Sequence, residues 1–326
     1  MKAAWYDAQG DAEKVIQVGS FDKPICGDNE VIVKIFASGI NPSDVKRRMG
    51  SRGKMEYPKI IPHSDGAGII ETIGKNIDPQ RLGERVWVYN GQWNRPFGTA
   101  AEYISINQEL AIHLPNNIDF EIGACLGIPA FTAHRAVFGE GTVTNKVVLV
   151  TGGAGSVGYF AIQMAKWGGA RVIATVSSDE KAKMAKEAGA DFVLNYKTQN
   201  IANQVMMLTG DGVDHIVEVD FGGNLETNVS ILKINGSIST YASMGNTTPI
   251  LPFYPLMQKS INIRLIFVYD LPKVARLSAV KDITQMLKDN SLNAKISHRF
   301  KLDDIVEAHK IIESGKTNGN VIINKF

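Results

Sequence analysis

One stretch constrains the fold of this chain more than any other: Asn145 to Gly158, which reads Asn-Lys-Val-Val-Leu-Val-Thr-Gly-Gly-Ala-Gly-Ser-Val-Gly. Val147 to Val150 form a short apolar run suited to a strand buried on both faces. Gly153 to Gly158 then spells Gly-x-Gly-x-x-Gly. A helical period follows, with Val157, Phe160, Ala161, Met164 and Ala165 on one stripe and Gly168-Gly169 at its end. A strand, a glycine turn and a helix in succession form the first unit of a dinucleotide-binding fold. The glycines permit a tight turn and a close approach to a pyrophosphate, whose charge sits at the N–H-rich helix start.

Alone, the glycine pattern is weak, because glycine turns without a ligand are common. Here the second strand arrives on schedule. Arg171 to Val176 is β-branched and apolar, and Ser178 suits the N-cap of a helix from Asp179 to Ala188. This context points to a bound dinucleotide rather than a structural turn.

At 326 residues the chain is long enough for two domains. A net charge of +2 gives no field that would draw nucleic acid or a membrane surface. Cys26 and Cys125 are too few for a disulfide framework or a four-thiolate metal site, and Cys125 reads as core. No window reaches the roughly eighteen uncharged apolar residues of a membrane span. The start, Met1-Lys2-Ala3-Ala4-Trp5, lacks an apolar signal core. The expectation is a soluble cytoplasmic protein.

Up to about residue 125, glycines and prolines punctuate short apolar runs: Val31 to Phe36 alternates, and Gly66 to Ile73 and Glu84 to Tyr89 are strand-like. That pattern predicts a compact β-rich domain. From 146 to 242, strands alternate with helices. The strands fall at Phe192 to Asn195, His215 to Val219 and Gly236 to Ala242, and the helices over 198–208 and 225–234. Such βαβ repetition predicts a parallel sheet with right-handed crossovers, hence an α/β fold. Ile261 to Tyr269 reads as one more strand. Helices over 273–289 and 303–314 and a last strand over 319–323 complete the pattern.

Several segments carry a broader likeness: Ser38-Gly-Ile-Asn-Pro-Ser-Asp44, Pro62-His-Ser-Asp-Gly-Ala-Gly68, Phe97-Gly-Thr-Ala-Ala-Glu-Tyr103, Gly127-Ile-Pro-Ala-Phe-Thr-Ala133 and the glycine loop. In this order they resemble the medium-chain dehydrogenase/reductase superfamily, and within it the zeta-crystallin-type NADPH:quinone oxidoreductases. The resemblance implies a GroES-like β-rich catalytic domain from residues 1–125 and 266–326. A Rossmann NADP-binding domain, a doubly wound parallel sheet over 126–265, would be inserted between these parts, with the active site in the cleft. It also implies a homodimer or tetramer, with Ile261 to Tyr269 pairing across a two-fold axis.

In the superfamily's zinc alcohol dehydrogenases a Cys stands where this chain has Asn41, and a His where it has Ser64. His63 is displaced by one position, and the cysteine-rich structural-zinc lobe is absent. No metal is therefore expected. Without a Lewis acid to polarise an alkoxide, the resemblance implies reduction of electron-poor acceptors such as quinones or enones.

Residue by residue, the family places an amide at Asn41 near nicotinamide and substrate, suited to donate to a developing enolate or hydroquinone oxygen. An Asn before Pro is also an ordinary turn residue. The family often has a Tyr where this chain has Lys46, which leaves Lys46 as either a proton donor or a solvated lysine. Thr132 matches a position beside the cofactor and equally suits a helix start. Ala154, Gly155, Ser156 and Val157 carry over as the pyrophosphate loop. Asn224, Tyr241, Ala242, Ser243 and Met244 align with segments along the cofactor, as do Ile266, Phe267 and Val268. Asn320 is a further cofactor candidate. Glu218-Val-Asp-Phe-Gly222 departs from the family's commoner Asp-Ser-Val-Gly.

An NAD enzyme would place Asp or Glu about twenty residues past the loop to hold the ribose hydroxyls. This chain has Val176-Ser177-Ser178 there. Ser177 does not repel a 2′-phosphate, Lys181 can pair with it, and Tyr196 matches the family's position flanking it. Asp179 and Glu180 are explained by the helix dipole. The cofactor expected is NADPH.

Alternation puts Trp87 and Tyr89 on one face of their strand. Core packing competes with function for such residues, yet flat acceptors stack well on aromatic walls, so Tyr89 and Trp93 are substrate candidates. The reading is NADPH-dependent hydride transfer to a quinone. A reductase of α,β-unsaturated aldehydes, ketones or thioesters stays open beside it. A crystallin-like nucleotide- or RNA-binding protein without turnover is the rival of another class. The intact loop and the absence of a basic stripe count against that last reading.

Overall fold

The computed structural model describes residues 1–326 throughout. The chain divides into two units, Met1–Pro129 with Val280–Phe326, and Ala130–Ala279.

The first unit opens with β1 (Lys2–Trp5), α1 (Ala12–Val15), β2 (Gln17–Ser20), β3 (Glu30–Ile40) and α2 (Pro42–Arg48). β4 (Asp65–Ile73), β5 (Arg85–Val88), β6 (Tyr103–Asn107), β7 (Ala111–His113) and α3 (Phe120–Gly123) follow. The alternation read at Val31 to Phe36 is the pleat of β3: Val33 and Ile35 are buried, while Lys34 and Phe36 face out. Val31, Val33 and Ile35 pack with Ile70, Val86 and Ile104 in one core cluster. Each fully buried side chain of this size stabilises by roughly 1.5–3 kcal/mol.

α4 (Gly127–Phe138) leads into the second unit. There the chain runs β8 (Val147–Val150), α5 (Ser156–Trp167), β9 (Arg171–Val176), α6 (Asp179–Glu187), β10 (Phe192–Asn195) and α7 (Ile201–Thr209). It continues through β11 (Val213–Glu218), α8 (Phe221–Ile231), β12 (Leu232–Thr240), α9 (Phe253–Gln258) and β13 (Asn262–Leu265). The sheet order is β10-β9-β8-β11-β12-β13, with every pairing parallel. The order reverses between β8 and β11, and a doubly wound sheet of this kind binds its ligand beyond the carboxyl ends of those two strands.

α10 (Lys273–Lys288) returns the chain to the first unit, followed by β14 (Ile296–Lys301), α11 (Ile305–Glu313) and β15 (Asn320–Lys325). β15 lies antiparallel to β3, with Val321 opposite Ile40 and Ile323 opposite Ser38. β14 pairs with β15 in parallel. The C-terminal segment thus completes the sheet begun by the N-terminal one, the GroES-like and Rossmann arrangement that the family resemblance implied.

Two local expectations need correction. The helix expected over 225–234 is α8, which starts earlier because Phe221, Leu225 and Val229 form its buried stripe. β12 then begins at Leu232 instead of Gly236. Ile261 to Tyr269 is not one strand. β13 is the outermost strand with a single neighbour, its last ladder bond runs from Ile266 N–H to the Thr240 carbonyl at 2.8 Å, and Val268–Asp270 form a helical turn.

Candidate functional site

Beyond β8 the chain turns through Thr151 to Gly155 into α5. Gly152 has φ +66°, in the left-handed region that glycine enters without steric cost. A Cβ at Gly158 would lie 2.3 Å from the Gly152 carbonyl oxygen, so α5 can approach the turn only with glycine there. Gly155 differs. It is exposed, it is the N-cap of α5, and the nearest atom to an added Cβ is 3.4 Å away. Ala154 is buried beneath it, while Ser156 and Val157 are half-buried. The first N–H groups of α5 have no intrahelical acceptor, and the helix dipole favours an anion at this end. Open space over an N–H-rich glycine turn fits a pyrophosphate.

At the end of β9, Ser178 caps α6, its hydroxyl accepting the Lys181 N–H at 3.3 Å. Lys181 therefore sits in the first turn, just past Ser177. The Tyr196 N–H bonds to the Val176 carbonyl at 3.0 Å, which brings Tyr196, 48% exposed, beside the end of β9. Ser177, Lys181 and Tyr196 thus share the end of β9, and Asp179 and Glu180 are exposed at the helix start.

At the end of β11, Glu218 is fully buried. One carboxylate oxygen accepts from the Thr151 hydroxyl at 2.9 Å, the Asp220 N–H at 2.6 Å and the Asn224 amide at 2.9 Å. The other accepts from the Asn228 amide at 2.7 Å. Asn224 therefore commits an N–H to Glu218. Asp220 in turn accepts the N–H groups of Met244 and Gly245, each at 2.8 Å. Ser243 accepts the Gly222 N–H at 2.9 Å, and the Ala242 carbonyl accepts that of Phe221 at 3.0 Å. The segment from Tyr241 to Met244 is thereby tied to the start of α8. Thr132 is buried in α4, Val268 is buried, Ile266 is half-buried and Phe267 is 52% exposed.

In the first unit Asn41 leaves β3 as the N-cap of α2, ahead of Pro42. Its backbone N–H donates to Asp44 Oδ2 at 2.7 Å, and its Nδ2 to Asp65 Oδ2 at 2.7 Å. Asp65 Oδ1 accepts the Ile128 N–H at 2.8 Å. Burial pushes the Asp44 carboxyl up to about 7. It pushes Asp65 well above the usual carboxylate range, and the charge of Asp44 adds to that. Lys46 is half-buried on α2, its ammonium pulled down by burial and by Arg52. Arg47 donates to the carbonyl and the Oε1 of Gln92, both at 3.1 Å, and its guanidinium lies 5.0 Å from the centroid of the Trp93 ring. α2 thus gathers Asn41, Lys46 and, through Arg47, Trp93. Tyr89 is instead sealed in the interior at 1% exposure. Asn320 is also buried, its amide donating to the Lys295 carbonyl at 3.1 Å.

Asp65, Arg47 and Glu218 were not identified from sequence as site residues, and neither was the pairing of His63. His63 has φ +77° and no exposure. Its partner His309 is 246 positions away, a distance no local pattern spans. No group of three or more His, Cys, Asp or Glu side chains is disposed to hold a metal ion.

Two family models match the chain: alcohol dehydrogenase GroES-like domain over residues 27–116 and zinc-binding dehydrogenase over 156–286. Human quinone oxidoreductase is 30% identical over 303 residues, 92% of this chain and 90% of that protein. A 2-methylene-furan-3-one reductase from Solanum lycopersicum is 28% identical, over 99% of this chain and 79% of that protein. Among solved structures, Escherichia coli quinone oxidoreductase complexed with NADPH has the same fold, with a TM-score of 0.87, 23% identity and coverage of 99% of this chain and 100% of that one.

Proposed function

Because this chain belongs to the quinone oxidoreductase family of medium-chain dehydrogenases/reductases, we propose that it is an NADPH-dependent quinone oxidoreductase working by metal-independent hydride transfer. The observation that carries this reading is the open glycine turn at the carboxyl end of β8, where the strand order reverses. When bound there, NADPH supplies the hydride from its nicotinamide ring. The N–H groups at the start of α5 hold the pyrophosphate. Ser177 presents no charge against a 2′-phosphate, Lys181 pairs with it, and Tyr196 flanks it.

On the acceptor side, an N–H of Asn41 meets the oxygen on which charge develops. A fixed donor at such a point lowers the barrier because it needs no reorganisation. Lys46, whose partly desolvated ammonium releases its proton more readily than an exposed lysine, supplies the proton. Trp93 offers the flat wall against which a quinone would stack. Turnover of a panel of quinones and enones with NADPH and with NADH tests the proposal. Rapid alkenal reduction with no quinone reduction would favour the second reading, a reductase of conjugated carbonyls, which the tomato relative's name supports.

We propose also that the chain forms a homodimer through the open edge of β13, where Leu265 is 75% and Phe267 52% exposed. Light scattering that finds only monomer would refute this.

A further inference from the structure

We infer that Arg47 is a positioning residue for ring acceptors: by gripping Gln92 and lying against the face of the Trp93 indole, its guanidinium holds that ring as a fixed wall before the acceptor arrives. The inference rests on the role proposed above for Trp93. Trp93 lies on the connection between β5 and β6, flanked by Asn90 with φ +58° and Asn94 with φ +54°. Asparagine enters this left-handed region more readily than most residues, so the chain turns sharply on either side of Gln92 and Trp93. The Gly91 N–H donates to the Ser64 carbonyl at 2.7 Å, and the Trp93 N–H to the Asn90 carbonyl at 3.1 Å. These bonds fix the main chain of the turn, and Gln92 and Arg47 carry the hold on to the ring.

Gln92 is 3% exposed, and both ends of its amide are engaged. Nε2 donates to the Arg95 carbonyl at 3.0 Å, and Oε1 accepts from Arg47 Nη1 at 3.1 Å. The same Arg47 nitrogen donates to the Gln92 main-chain carbonyl, also at 3.1 Å. Its two N–H bonds therefore take both oxygens of one residue, which sets the plane of the guanidinium as well as its place. The centre of that group lies 5.0 Å from the Trp93 ring centroid, within the range of a cation–π contact. On its other side Arg47 is anchored by α2, and its carbonyl accepts the Gln9 amide at 2.9 Å. The helix that Asn41 caps and that carries Lys46 thus also holds the wall.

A flat quinone gains most from a ring whose orientation is set in advance, because a ring ordered only on binding subtracts its lost freedom from the affinity. An arginine that served the fold alone would affect every acceptor alike. The same is true of its effect on Asp44, whose carboxyl is raised chiefly by burial and lowered by the Arg47 charge. The two roles can therefore be separated.

The experiment compares wild type, Arg47→Met, Trp93→Leu and the double variant. It measures thermal midpoint, NADPH affinity by fluorescence titration, and kcat and KM with a naphthoquinone and with an acyclic alkenal. Met keeps the apolar stem but has no N–H to hold Gln92. We expect Arg47→Met to raise KM for the naphthoquinone about threefold to tenfold, the effect of ordering one side chain on binding. Unchanged kcat and NADPH affinity should mark this as lost acceptor binding. The double variant should be no worse than Trp93→Leu, because the clamp has nothing left to hold. The alkenal has no ring to stack, so its KM should be the same in all four proteins. Losses that multiply in the double variant, or an alkenal KM that rises with that of the quinone, would overturn the positioning role. So would a naphthoquinone KM that Trp93→Leu leaves unchanged. If Arg47→Met does not fold, Arg47→Lys enters the same cycle with the same expected outcome: it keeps the charge near Asp44 but ends a bond short of the Nη1 position. A wild type that binds NADPH but reduces neither quinones nor enones would overturn the proposed function itself, an outcome distinct from the others.

Discussion

The Nε2 atoms of His63 and His309 lie 3.0 Å apart in the interior of the first unit, with neither ring exposed. His63 Nδ1 is 2.9 Å from the Ser38 hydroxyl, which is 2.8 Å from that of Thr99, and Thr99 donates to the Asp65 carbonyl at 2.6 Å. Assigning each hydrogen in turn gives one consistent direction: His309 donates to His63, His63 to Ser38, Ser38 to Thr99, and Thr99 to Asp65. His309 Nδ1, which has no partner, is then a bare acceptor rather than a bare donor. The pair thus anchors α11 to the strand start that carries Asp65.

Burial pushes His63 down to about 3, and burial, His63 and Arg48 together hold His309 well below the usual histidine range. Below about pH 6.5 the unfolded chain binds protons that the folded one refuses, so stability falls by up to ~1.4 kcal/mol per pH unit for each ring. The contribution is complete above that pH and is lost as the pH drops toward 3. Asp44, raised by burial to about 7, acts with the opposite sign, favouring the folded state as it takes up its proton. Comparing wild type with His63→Asn cancels the Asp44 effect, and Asn tolerates the left-handed backbone. The variant should be less stable near pH 8 by about 1–3 kcal/mol, with the gap narrowing as the pH falls below about 6.5. Urea denaturation showing a constant gap would contradict this.

Two glycines of the loop should separate folding from binding. Gly158→Ala places a methyl 2.3 Å from the Gly152 oxygen. It should cost about 1–3 kcal/mol of stability as well as NADPH affinity. Gly155→Ala meets nothing closer than 3.4 Å, so its thermal midpoint should match wild type while NADPH binding weakens about tenfold or more, a loss of ~1.4 kcal/mol. Equal midpoints for the two variants would argue against the close approach at Gly158.

Lys181→Ala should lower kcat/KM for NADPH about tenfold, the loss of one charge-assisted contact of ~1.5 kcal/mol, and leave kcat/KM for NADH unchanged. Steady-state assays with both cofactors decide. An unchanged preference would remove Lys181 from the phosphate site.

Glu218→Ala leaves Thr151, Asn224 and Asn228 without their shared acceptor at the carboxyl end of β11. Unsatisfied buried donors cost about 1–3 kcal/mol each. Equilibrium unfolding should show a loss of at least ~2 kcal/mol, together with weaker NADPH binding. A neutral effect on both would mean that water replaces the carboxylate at no cost.

What could be read from the sequence was local. Val147 to Gly158 announces its strand, turn and helix because each depends on residues a few positions apart. The same holds for Ser177 and Lys181 at the end of β9. Trp87 lies on β5 but the strand ends at Val88, one residue short of Tyr89, and alternation does not tell whether a face meets core or ligand: Tyr89 is sealed inside. Asn41 meets Asp65, and Asp65 meets Ile128, only because different elements bring them together. His63 drew notice as a displaced zinc ligand, yet its meaning lies with a residue on α11. Ile261 to Tyr269 was read as longer than β13 because an apolar run does not show where a sheet has its last neighbour.

The most direct test of the central claim follows NADPH oxidation by a quinone with the purified protein, before and after exhaustive chelation, with elemental analysis of the same sample. The account predicts quinone-dependent oxidation at an undiminished rate and no stoichiometric transition metal. Absence of oxidation, or activity lost on chelation and restored by zinc, would contradict it.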